Sequence, residues 1–307
     1  MKNPKIVITG AKGFIGSVMA SLLKEKNYTN LVLIDKDDRF TFLEDSDIDA
    51  VIHLGACTNT EELNYDIHKE LNLEYSKKVW EYTAKRQIPL IYASSAATYG
   101  NGEYGYDDTH SVLSRLEPLN PYGVSKNEFD RWALSQPQSP PSWTGLKFFN
   151  VYGPNEGHKG KMASMVYHAY NQIKETGKVR LFKSYKPGYR DGGQQRDFVY
   201  VKDVVNVIYW MLTEMLSSEW KKDGLYNIGT GRTESFLSLA YSVFRALGLE
   251  PNIEYIDMPK DIQTKYQYYT KANIVKLFSV GYKKSFMRLE DGIEDYVTNY
   301  LELNKSC

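Results

Sequence analysis

Cysteine and net charge are both scarce in this sequence. Only Cys57 and Cys307 occur among its 307 residues, and neither lies in a metal-ligand spacing. The sequence therefore predicts no metal site and favours a reducing compartment. Lys and Arg together number 38, as do Asp and Glu. This balance does not point to a nucleic acid or an anionic membrane as a partner.

Long apolar runs are also absent. No segment is apolar enough to span a bilayer, and the first residues carry no signal-peptide pattern, so we expect a cytoplasmic protein. Because 42% of the residues are apolar and 25% are charged, the chain can bury a large core. Its length predicts one nucleotide-binding domain and a smaller lobe.

The chain begins with a strand pattern, a glycine turn and a helical pattern. A β-branched run at residues 5–9 precedes Gly10, Gly13 and Gly16, and an apolar-periodic segment follows at 18–24. In dinucleotide-binding folds such glycines permit a tight turn, close approach of the backbone to a pyrophosphate, and close packing of helix on strand. The order of these elements predicts a dinucleotide site.

Further strand patterns follow, and small or polar residues come directly after them. The strand patterns lie at Leu31–Ile34, 50–54, 89–93 and 145–149, and a helical pattern lies at 72–85. Asp35 follows the first, where a carboxylate would meet the adenosine ribose, and residues 55–58 and 94–100 follow the next two. In an open parallel sheet, ligands bind beyond the carboxyl ends of the strands. We therefore expect an α/β fold, a Rossmann-type doubly wound and mostly parallel sheet formed by residues 1–150.

Tyr122 and Lys126 are four residues apart in a segment with a helical pattern. On a helix they lie about one turn apart on one face, and a neighbouring ammonium favours the phenolate form of tyrosine. The pattern is weak on its own, because the chain has 25 tyrosines and such pairs arise by chance. Combined with the glycine turn and with Ser95 at a strand end, it indicates an acid/base site.

Several motifs occur in an order typical of one superfamily. After the glycine turn come S-S-A-A-T-Y-G at 94–100, Y-G-x-S-K at 122–126 and F-N-V-Y-G-P at 149–154. With them the chain resembles the extended short-chain dehydrogenase/reductase superfamily of nucleotide-sugar enzymes. The segment E-G-H-K-G at 156–160 is more specific and resembles the superfamily's ADP-heptose epimerases. Nearly the whole chain takes part, with further similar segments at 196–201, 227–232 and 266–267.

The resemblance implies an isomerase that converts ADP-D-glycero-D-manno-heptose to its L-glycero epimer for lipopolysaccharide core biosynthesis. Such an enzyme removes a hydride to bound NAD(P)⁺, lets the ketone turn, and returns the hydride to the opposite face. Tyr122 and Lys159 would be the two acid/base groups, on opposite sides of the reacting carbon. Lys126 would hold the nicotinamide ribose and lower the pKa of Tyr122, and Ser95 would bond the reacting oxygen. Without the resemblance, Lys159 fits a phosphate clamp or a solvated loop lysine better.

The same resemblance implies further site residues and a smaller α/β substrate-binding lobe over residues 151–307, with some segments returning to the first domain. The residues that match cofactor-contacting positions are Gly10, Gly13, Phe14, Ile15, Gly16, Asp35, Lys36, Leu54, Gly55, Ala56, Cys57, Thr58, Asn72, Tyr122, Lys126, Val151 and Lys159. Those that match sugar-nucleotide positions are Ser95, Asn150, Lys159, His168, Phe182, Lys183, Ser184, Tyr185, Arg196 and Tyr266. Arg196 suits a diphosphate because its planar fork meets phosphate oxygens bidentately, whereas His168 fits a packed core histidine equally well.

The chain departs from the resembled pattern in three places. Only fifteen residues separate Asp35 from Val51, so a strand and a helix usual in this fold are expected to be missing, together with an adenine contact. Asn155 stands where the family carries Arg, and Lys161 where it carries a small hydroxyl residue. Residues 183–195 are longer than expected and rich in glycine, which predicts a mobile flap.

The cofactor is only partly determined by these residues. Asp35 favours the free ribose hydroxyl of NAD, whereas Lys36 and Arg39 suit the extra phosphate of NADP, which the family binds tightly. We expect NADP, with NAD as the alternative, to stay bound and to be recycled.

Other functions remain open at this point. One is a different nucleotide-sugar epimerase, such as a UDP-hexose 4-epimerase. A dehydratase is disfavoured because no acid follows Ser94 closely. A non-catalytic nucleotide-sensing protein of the same fold would not need Tyr122, Lys126 and Ser95 together. The family forms homo-oligomers, so we expect one here.

Overall fold

The computed structural model of the chain describes residues 3–263 and 266–307. Its strands are β1 (Ile6–Thr9), β2 (Leu31–Ile34), β3 (Ala50–His53), β4 (Leu90–Ser95), β5 (Trp143–Phe148), β6 (Asn150–Tyr152), β7 (Val179–Phe182), β8 (Gln195–Arg196), β9 (Phe198–Tyr200), β10 (Gly224–Ile228), β11 (Glu234–Ser235) and β12 (Ile253–Ile256). Its α-helices are α1 (Phe14–Glu25), α2 (Tyr65–His68), α3 (Tyr75–Arg86), α4 (Pro121–Ser135), α5 (Met165–Thr176), α6 (Val201–Leu216), α7 (Phe236–Ala246), α8 (Lys260–Gln263), α9 (Val275–Ser279) and α10 (Leu289–Tyr296).

Two π-helical turns and four 3₁₀ turns complete the helical segments of the described residues. The π-helical turn Lys69–Glu74 joins α2 to α3, and Val297–Leu301 continues α10. The 3₁₀ turns are Thr41–Glu44, Ala96–Tyr99, His110–Arg115 and Gly157–Met162.

A six-stranded sheet, parallel throughout, has the order β10-β5-β4-β3-β1-β2. Every residue of β1, β3 and β5 is buried. Parallel strands buried on both faces are usually near-continuous apolar runs, a pattern that β1 shows and β5 interrupts with the buried Lys147. The expected Rossmann-type fold, a mostly parallel sheet with flanking helices, is confirmed.

The connection from β2 to β3 is short, as the sequence predicted. Among its residues only Thr41–Glu44 forms a helical turn, and no strand intervenes, so β2 is the edge of the sheet. Phe42 holds the connection against α3 through a ring contact with Tyr82 at 5.7 Å between centroids. The expected loss of one strand and one helix is confirmed.

The described residues form two compact units. The first comprises residues 3–148, Val204–Ile228 and Asn273–Lys283 and contains the six-stranded sheet. The second comprises Phe149–Asp203, 229–263, 266–272 and Lys284–Cys307.

Short strand pairs and helices build the second unit. The strand β6 pairs with β9 and β7 with β12, both in parallel, and β8 pairs with β11 antiparallel. The helices α5 and α10 both pack on α7.

An aromatic cluster fixes α4 against the sheet. The ring of Trp80 lies 5.0 Å from that of Trp143 and 6.4 Å from that of Phe129, and Phe129 lies 4.9 Å from Tyr92, all between centroids. Edge-to-face aromatic pairs add to the stabilisation from buried area, which holds the helix in one position. Because α4 carries Tyr122 and Lys126, this packing sets where both side chains emerge.

Candidate active site

The glycine turn after β1 leaves no room for side chains. Gly10 has φ of +67°, and a Cβ built on Gly16 would lie 2.1 Å from the carbonyl oxygen of Gly10. No side chain caps Gly13 at the start of α1, and the first turn of that helix has no acidic residue. The first backbone N–H groups of a helix are orphan donors that suit an anionic group. The turn therefore fits the pyrophosphate of a dinucleotide.

Asp35 closes the other side of this turn. Its carboxylate accepts the backbone N–H groups of Lys12, at 3.0 Å, and of Lys36, at 2.8 Å. These bonds hold the carboxylate beside the glycine turn, where a ribose hydroxyl can donate to it. The Lys36 side chain is exposed, and Arg39 forms an ion pair with Glu70 at 3.0 Å.

Small residues follow β3 at its carboxyl end, as expected. The N–H of Gly55 donates to the Thr9 hydroxyl at 3.1 Å, and that hydroxyl also lies 2.7 Å from His53 Nδ1. His53 is buried and its Nε2 contacts Ser76, so it is a core residue. Leu54, Ala56 and Cys57 are half-buried beside it.

Asn72 ties this loop to the helix that carries Tyr122. Its Oδ1 accepts the Cys57 N–H at 2.7 Å, and its Nδ2 donates to the Cys57 carbonyl at 3.1 Å and to Ser125 Oγ at 3.0 Å. Ser125 in turn donates to the Tyr122 carbonyl at 2.7 Å. Asn72 lies on the π-helical turn, a feature found often at functional sites. It therefore links two of the expected cofactor segments.

The structure brings Tyr122 and Ser95 together. Ser95 is the last residue of β4, and its Oγ also accepts the Ala97 N–H at 3.1 Å. Burial raises the pKa of the Tyr122 phenol, and the hydrogen bond with Ser95 acts in the opposite direction. The His68 ring packs on Tyr122 at 6.1 Å between centroids.

Lys126 is 4% exposed and donates from Nζ to the Ala93 carbonyl at 2.9 Å. Burial lowers the pKa of Lys126 to about 8. Burial is the largest influence on the Tyr122 pKa and raises it, and the expectation that Lys126 lowers that pKa stays a prediction. The one hydrogen bond that opposes the increase comes from Ser95.

A buried ion pair lies beneath these residues. Lys147 on β5 and Asp130 on α4 are 2.7 Å apart, and both side chains are fully buried. Asp130 also accepts a hydrogen bond from Ser94 at 2.6 Å, and Lys147 donates to Thr98 at 2.7 Å. The Asp130 charge raises the pKa of Lys126 against the effect of burial. The pair thus supports the strand end from which Ser95 projects.

In the second unit, Lys159 lies on the 3₁₀ turn Gly157–Met162 and is half-buried. Burial lowers the pKa of its ammonium group, and the charge of Glu156 raises it. The Lys159 N–H donates to the Glu156 carbonyl at 2.9 Å. The expected second base is therefore a partly desolvated lysine and not a fully solvated one.

Asn155, which departs from the family pattern, has a structural reason. Its φ is +73°, a conformation that Asn tolerates better than long side chains do. Its Oδ1 accepts the Cys307 N–H at 2.8 Å, and its Nδ2 donates to the Cys307 carbonyl at 3.5 Å. Asn155 thereby fastens the 155–159 turn to another segment of the same unit.

Three of the expected sugar-nucleotide residues come together around Arg196. The guanidinium lies over the Tyr266 ring at 5.4 Å, and Tyr266 packs edge-on against Phe182 at 6.1 Å. The Phe236 ring covers the guanidinium at 5.6 Å. One guanidinium N–H donates to the Gln195 carbonyl at 2.8 Å. A guanidinium held by two rings keeps its planar fork oriented.

The segment after β7, predicted to be a mobile flap, carries several hydrogen bonds. Lys183 and Tyr185 both bond Asp257, at 3.1 and 2.8 Å, and the Tyr185 N–H donates to the Tyr268 hydroxyl at 2.9 Å. The Ser184 N–H donates to Asp191 at 2.7 Å.

The remaining expected residues are His168, Asn150, Val151 and Thr58. His168 is half-buried, and its Nε2 lies 3.2 Å from the Lys161 carbonyl, so it contacts the Lys159 turn. Asn150 is exposed and Val151 is half-buried on β6. Thr58 is exposed after β3.

Sequence reasoning missed four residues that build this site. Glu156 and the pair Asp130 and Lys147 are buried charges, and Phe236 covers Arg196. Glu156 begins the E-G-H-K-G segment at 156–160, three residues before Lys159. The sequence could therefore have indicated that the two side chains lie near each other. Phe236 has no signal in the sequence, because it meets Arg196 only through the pairing of β8 with β11.

Within the described parts of the chain, no cluster of His, Cys, Asp and Glu could hold a metal ion. Over the same residues, no helix has the length and apolar character needed to cross a bilayer.

Comparisons with known proteins match nearly the whole chain. A family model described as the NAD dependent epimerase/dehydratase family matches residues 6–229. An ADP-L-glycero-D-manno-heptose-6-epimerase of Fusobacterium nucleatum is 46% identical over 96% of this chain and 98% of that protein. A protein of the same name from Nitratidesulfovibrio vulgaris is 43% identical over 96% of this chain and 97% of that protein. The crystal structure of the Helicobacter pylori ADP-L-glycero-D-manno-heptose-6-epimerase is 26% identical and gives a TM-score of 0.79, covering 97% of this chain and 99% of that one.

Proposed function

The chain belongs to the NAD dependent epimerase/dehydratase family, and from this we propose that it is a nucleotide-sugar epimerase. Its proposed reaction converts ADP-D-glycero-D-manno-heptose to ADP-L-glycero-D-manno-heptose. The observation that carries the proposal is that α4 meets the carboxyl end of β4: Lys126 donates from Nζ to the Ala93 carbonyl at 2.9 Å, two residues before Ser95, and Tyr122 lies one helical turn before Lys126. A binding protein has no need of a phenol, a hydroxyl and a buried amine in this arrangement.

The choice of substrate rests on the relatives. Two proteins of 46% and 43% identity over almost their full lengths carry the ADP-heptose epimerase name. Of the two departures near Lys159, Asn155 has a local explanation, because its side chain bonds Cys307, and nothing in the structure explains Lys161. Neither departure removes the proposed second base.

In the proposed mechanism Tyr122 and Lys159 each serve one orientation of the sugar. A dinucleotide held at the glycine turn and Asp35 would supply the hydride acceptor and donor for the carbinol carbon. In the first step Tyr122, as phenolate, takes the hydroxyl proton, while the Ser95 hydroxyl donates to the oxygen as it becomes a carbonyl. After the ketone turns, the Lys159 ammonium gives a proton to that oxygen. Exchange of one proton with water restores both groups, so the reaction is balanced.

We propose that the cofactor is NADP, with NAD as the alternative. The glycine turn, the uncapped start of α1 and the Asp35 carboxylate fit either dinucleotide. The exposed Lys36 favours the extra phosphate of NADP, whereas the Arg39 ion pair with Glu70 withholds one cation from it. Denaturing the purified protein and identifying the released nucleotide decides between them, and a protein that neither carries nor binds a dinucleotide would contradict the proposal.

The substrate assay compares two classes of sugar nucleotide. Purified protein is incubated with ADP-D-glycero-D-manno-heptose and, separately, with UDP-hexoses, and the products are resolved by stereochemistry. We expect the L-glycero epimer from the first and no conversion of the second, with no net change in nicotinamide absorbance. Conversion of UDP-hexoses alone would instead indicate a 4-epimerase.

Tyr122→Phe and Lys159→Met test the two-base assignment. Each should abolish net epimerisation and leave folding and cofactor content intact, because each removes one of two proton acceptors. With a substrate analogue already oxidised at the reacting carbon, each single variant should still return hydride in one sugar orientation. The double variant should do so in neither. Full activity of Lys159→Met on the true substrate would make Lys159 an ordinary loop lysine.

We also propose a homo-oligomer. The family resemblance supports it, as do two exposed apolar side chains, Leu63 just before α2 and Ile67 on α2, which are 78% and 36% exposed. Light scattering of the purified protein measures the state, and a monomer at micromolar concentration contradicts the proposal.

A further inference from the structure

Glu156 is a charged residue with no exposed surface. One carboxylate oxygen accepts the Gly153 N–H at 3.2 Å and the Ser164 hydroxyl at 2.7 Å, and the other accepts the Ser164 N–H at 2.5 Å. Burial and, after it, the nearby Glu156 charge raise the pKa of the Tyr296 phenol. The three hydrogen bonds connect Glu156 to both ends of the 153–164 segment.

The bonding pattern favours an ionised carboxylate. Backbone N–H groups can only donate, and an ionised carboxylate is the form that accepts at both oxygens. Burial raises the pKa of Glu156, while the bonds from Ser164 and Gly153 and the charge of Lys159 lower it. The groups that face it are Tyr296 from α10, Ser164 at the start of α5, and Lys159 from its own turn.

Ser164 extends the effect of Glu156 to a helix. Its hydroxyl donates to Glu156 and accepts the Tyr167 N–H at 3.3 Å, which caps α5. The turn that carries Lys159 is therefore fixed at the carboxylate, at its own backbone bond to the Glu156 carbonyl, and at the helix cap.

Fixing the 153–164 segment does not by itself require a charged side chain. A fully buried carboxylate costs several kcal/mol in lost hydration, and a neutral amide could accept some of the same hydrogen bonds at a lower cost. The charge has a counterpart in Lys159, whose ammonium form it favours. The buried charge thus has an electrostatic role beside the mechanical one.

We propose that Glu156 is a positioning residue for Lys159: its buried carboxylate fixes the 153–164 segment and supplies the negative charge that keeps Lys159 a competent proton donor. This role rests on the proposed function, because it has meaning only if Lys159 is the second acid/base group.

Glu156→Gln tests this role through the two partial reactions. The variant keeps the shape of the side chain and removes its charge. With the oxidised substrate analogue, hydride return in one sugar orientation depends on Lys159 and in the other on Tyr122. We expect the Lys159-dependent hydride return to fall roughly 10- to 100-fold, the range for loss of a charged hydrogen-bonding partner. The rate of the Tyr122-dependent hydride return should stay within about twofold of the rate in the unmodified protein.

A double variant separates positioning from a general loss of structure. In the Lys159→Met background, Glu156→Gln should cause no further loss, because the group that it positions is already gone. Asp203→Asn is the matched control, since Asp203 is also a buried carboxylate of the second unit and accepts the Met287 N–H at 2.7 Å. It should lower the melting temperature and leave the ratio of the two partial reactions unchanged.

Three outcomes would overturn the inference. They are equal loss of both partial reactions in Glu156→Gln, further loss in the Lys159→Met background, and the same change of ratio in Asp203→Asn. A fully active Lys159→Met protein is a different result, because it contradicts the two-base mechanism itself. If Glu156→Gln does not accumulate as folded protein, Glu156→Asp keeps the charge and withdraws it by one carbon, and we then expect a loss of about tenfold in the Lys159-dependent reaction alone.

Discussion

At the scale of single residues, burial shifts the pKa values of Tyr122 and Lys126 in the directions that favour their neutral forms. Burial raises the pKa of the phenol and lowers the pKa of the amine to about 8. Ser95 opposes the first shift by lowering the pKa of Tyr122. Asp130 opposes the second by raising the pKa of Lys126. The buried phenol therefore favours its neutral form, whereas an amine with a pKa of about 8 is still largely protonated at neutral pH.

Lys126→Met should stabilise the dinucleotide-free protein more at neutral pH than at alkaline pH. The folded pKa of about 8 lies below the ordinary value of 10.5, so the unfolded chain binds the proton more firmly. Folding stability is therefore reduced below pH 8, and the penalty shrinks as the pH rises from about 8 toward 10.5. At about 1.4 kcal/mol for each pKa unit, the difference in unfolding free energy between variant and unmodified protein should fall by roughly 2 kcal/mol from about pH 7 to about pH 9.5.

The measurement is a set of denaturation curves at both pH values. Lys85→Met serves as the control, because Lys85 is exposed on α3 and the same change of side chain occurs there. Its effect on stability should be the same at both pH values. If the difference in unfolding free energy between Lys126→Met and the unmodified protein stayed constant or grew with pH, Lys126 would not have a pKa lowered by burial.

At the scale of elements, the local pattern predicted most strands and missed one irregular helix. The strand Leu31–Ile34 was predicted with its observed bounds, because a four-residue apolar run between turn residues has few alternatives. The helical pattern at 72–85 was extended by the structure to Tyr65 and interrupted by a π-helical turn. Apolar periodicity of 3.6 residues cannot reveal such a turn, since it follows from the tertiary bonds of Asn72.

Gly16→Ala should weaken dinucleotide binding by at least about tenfold. The added Cβ would lie 2.1 Å from the Gly10 carbonyl oxygen and 2.8 Å from its carbonyl carbon, so the turn or α1 must move. Such movement displaces the backbone N–H groups that would face the pyrophosphate. Fluorescence titration of the dinucleotide-free protein with NADP and with NAD gives the dissociation constants.

Gly105→Ala is the matched control for this substitution. Gly105 has φ of +74°, and a Cβ there would meet no atom within 4 Å. It should cost about 1 kcal/mol of stability through backbone strain and leave both dissociation constants unchanged. If Gly16→Ala bound either dinucleotide as tightly as Gly105→Ala does, the glycine turn would not be the pyrophosphate site.

At the scale of the whole molecule, the sequence was informative where chemistry depends on neighbours along the chain. The glycine turn, the short connection after Asp35 and the Tyr122 helix all follow from local patterns, and the structure contains each of them. Contacts between distant segments were not predictable. The bonds of Asn155 to Cys307 and the ring of Phe236 over Arg196 depend on tertiary packing that no periodicity encodes.

Removal of the dinucleotide should lower the melting temperature of the whole protein. A ligand present at about 100 times its dissociation constant stabilises the folded state by about 2.7 kcal/mol, since it binds the folded chain alone. For a chain of this size each kcal/mol corresponds to roughly 2–4 °C, so we expect a decrease of about 5–10 °C. Readdition should restore the stability, and the dinucleotide that restores it at the lower concentration is the natural one. Hydrogen exchange should slow at residues 10–16 and at Asp35 on readdition, because those backbone groups surround the glycine turn. A melting temperature that neither NADP nor NAD changes at millimolar concentration would exclude the dinucleotide as a resident cofactor, and with it the hydride-transfer mechanism.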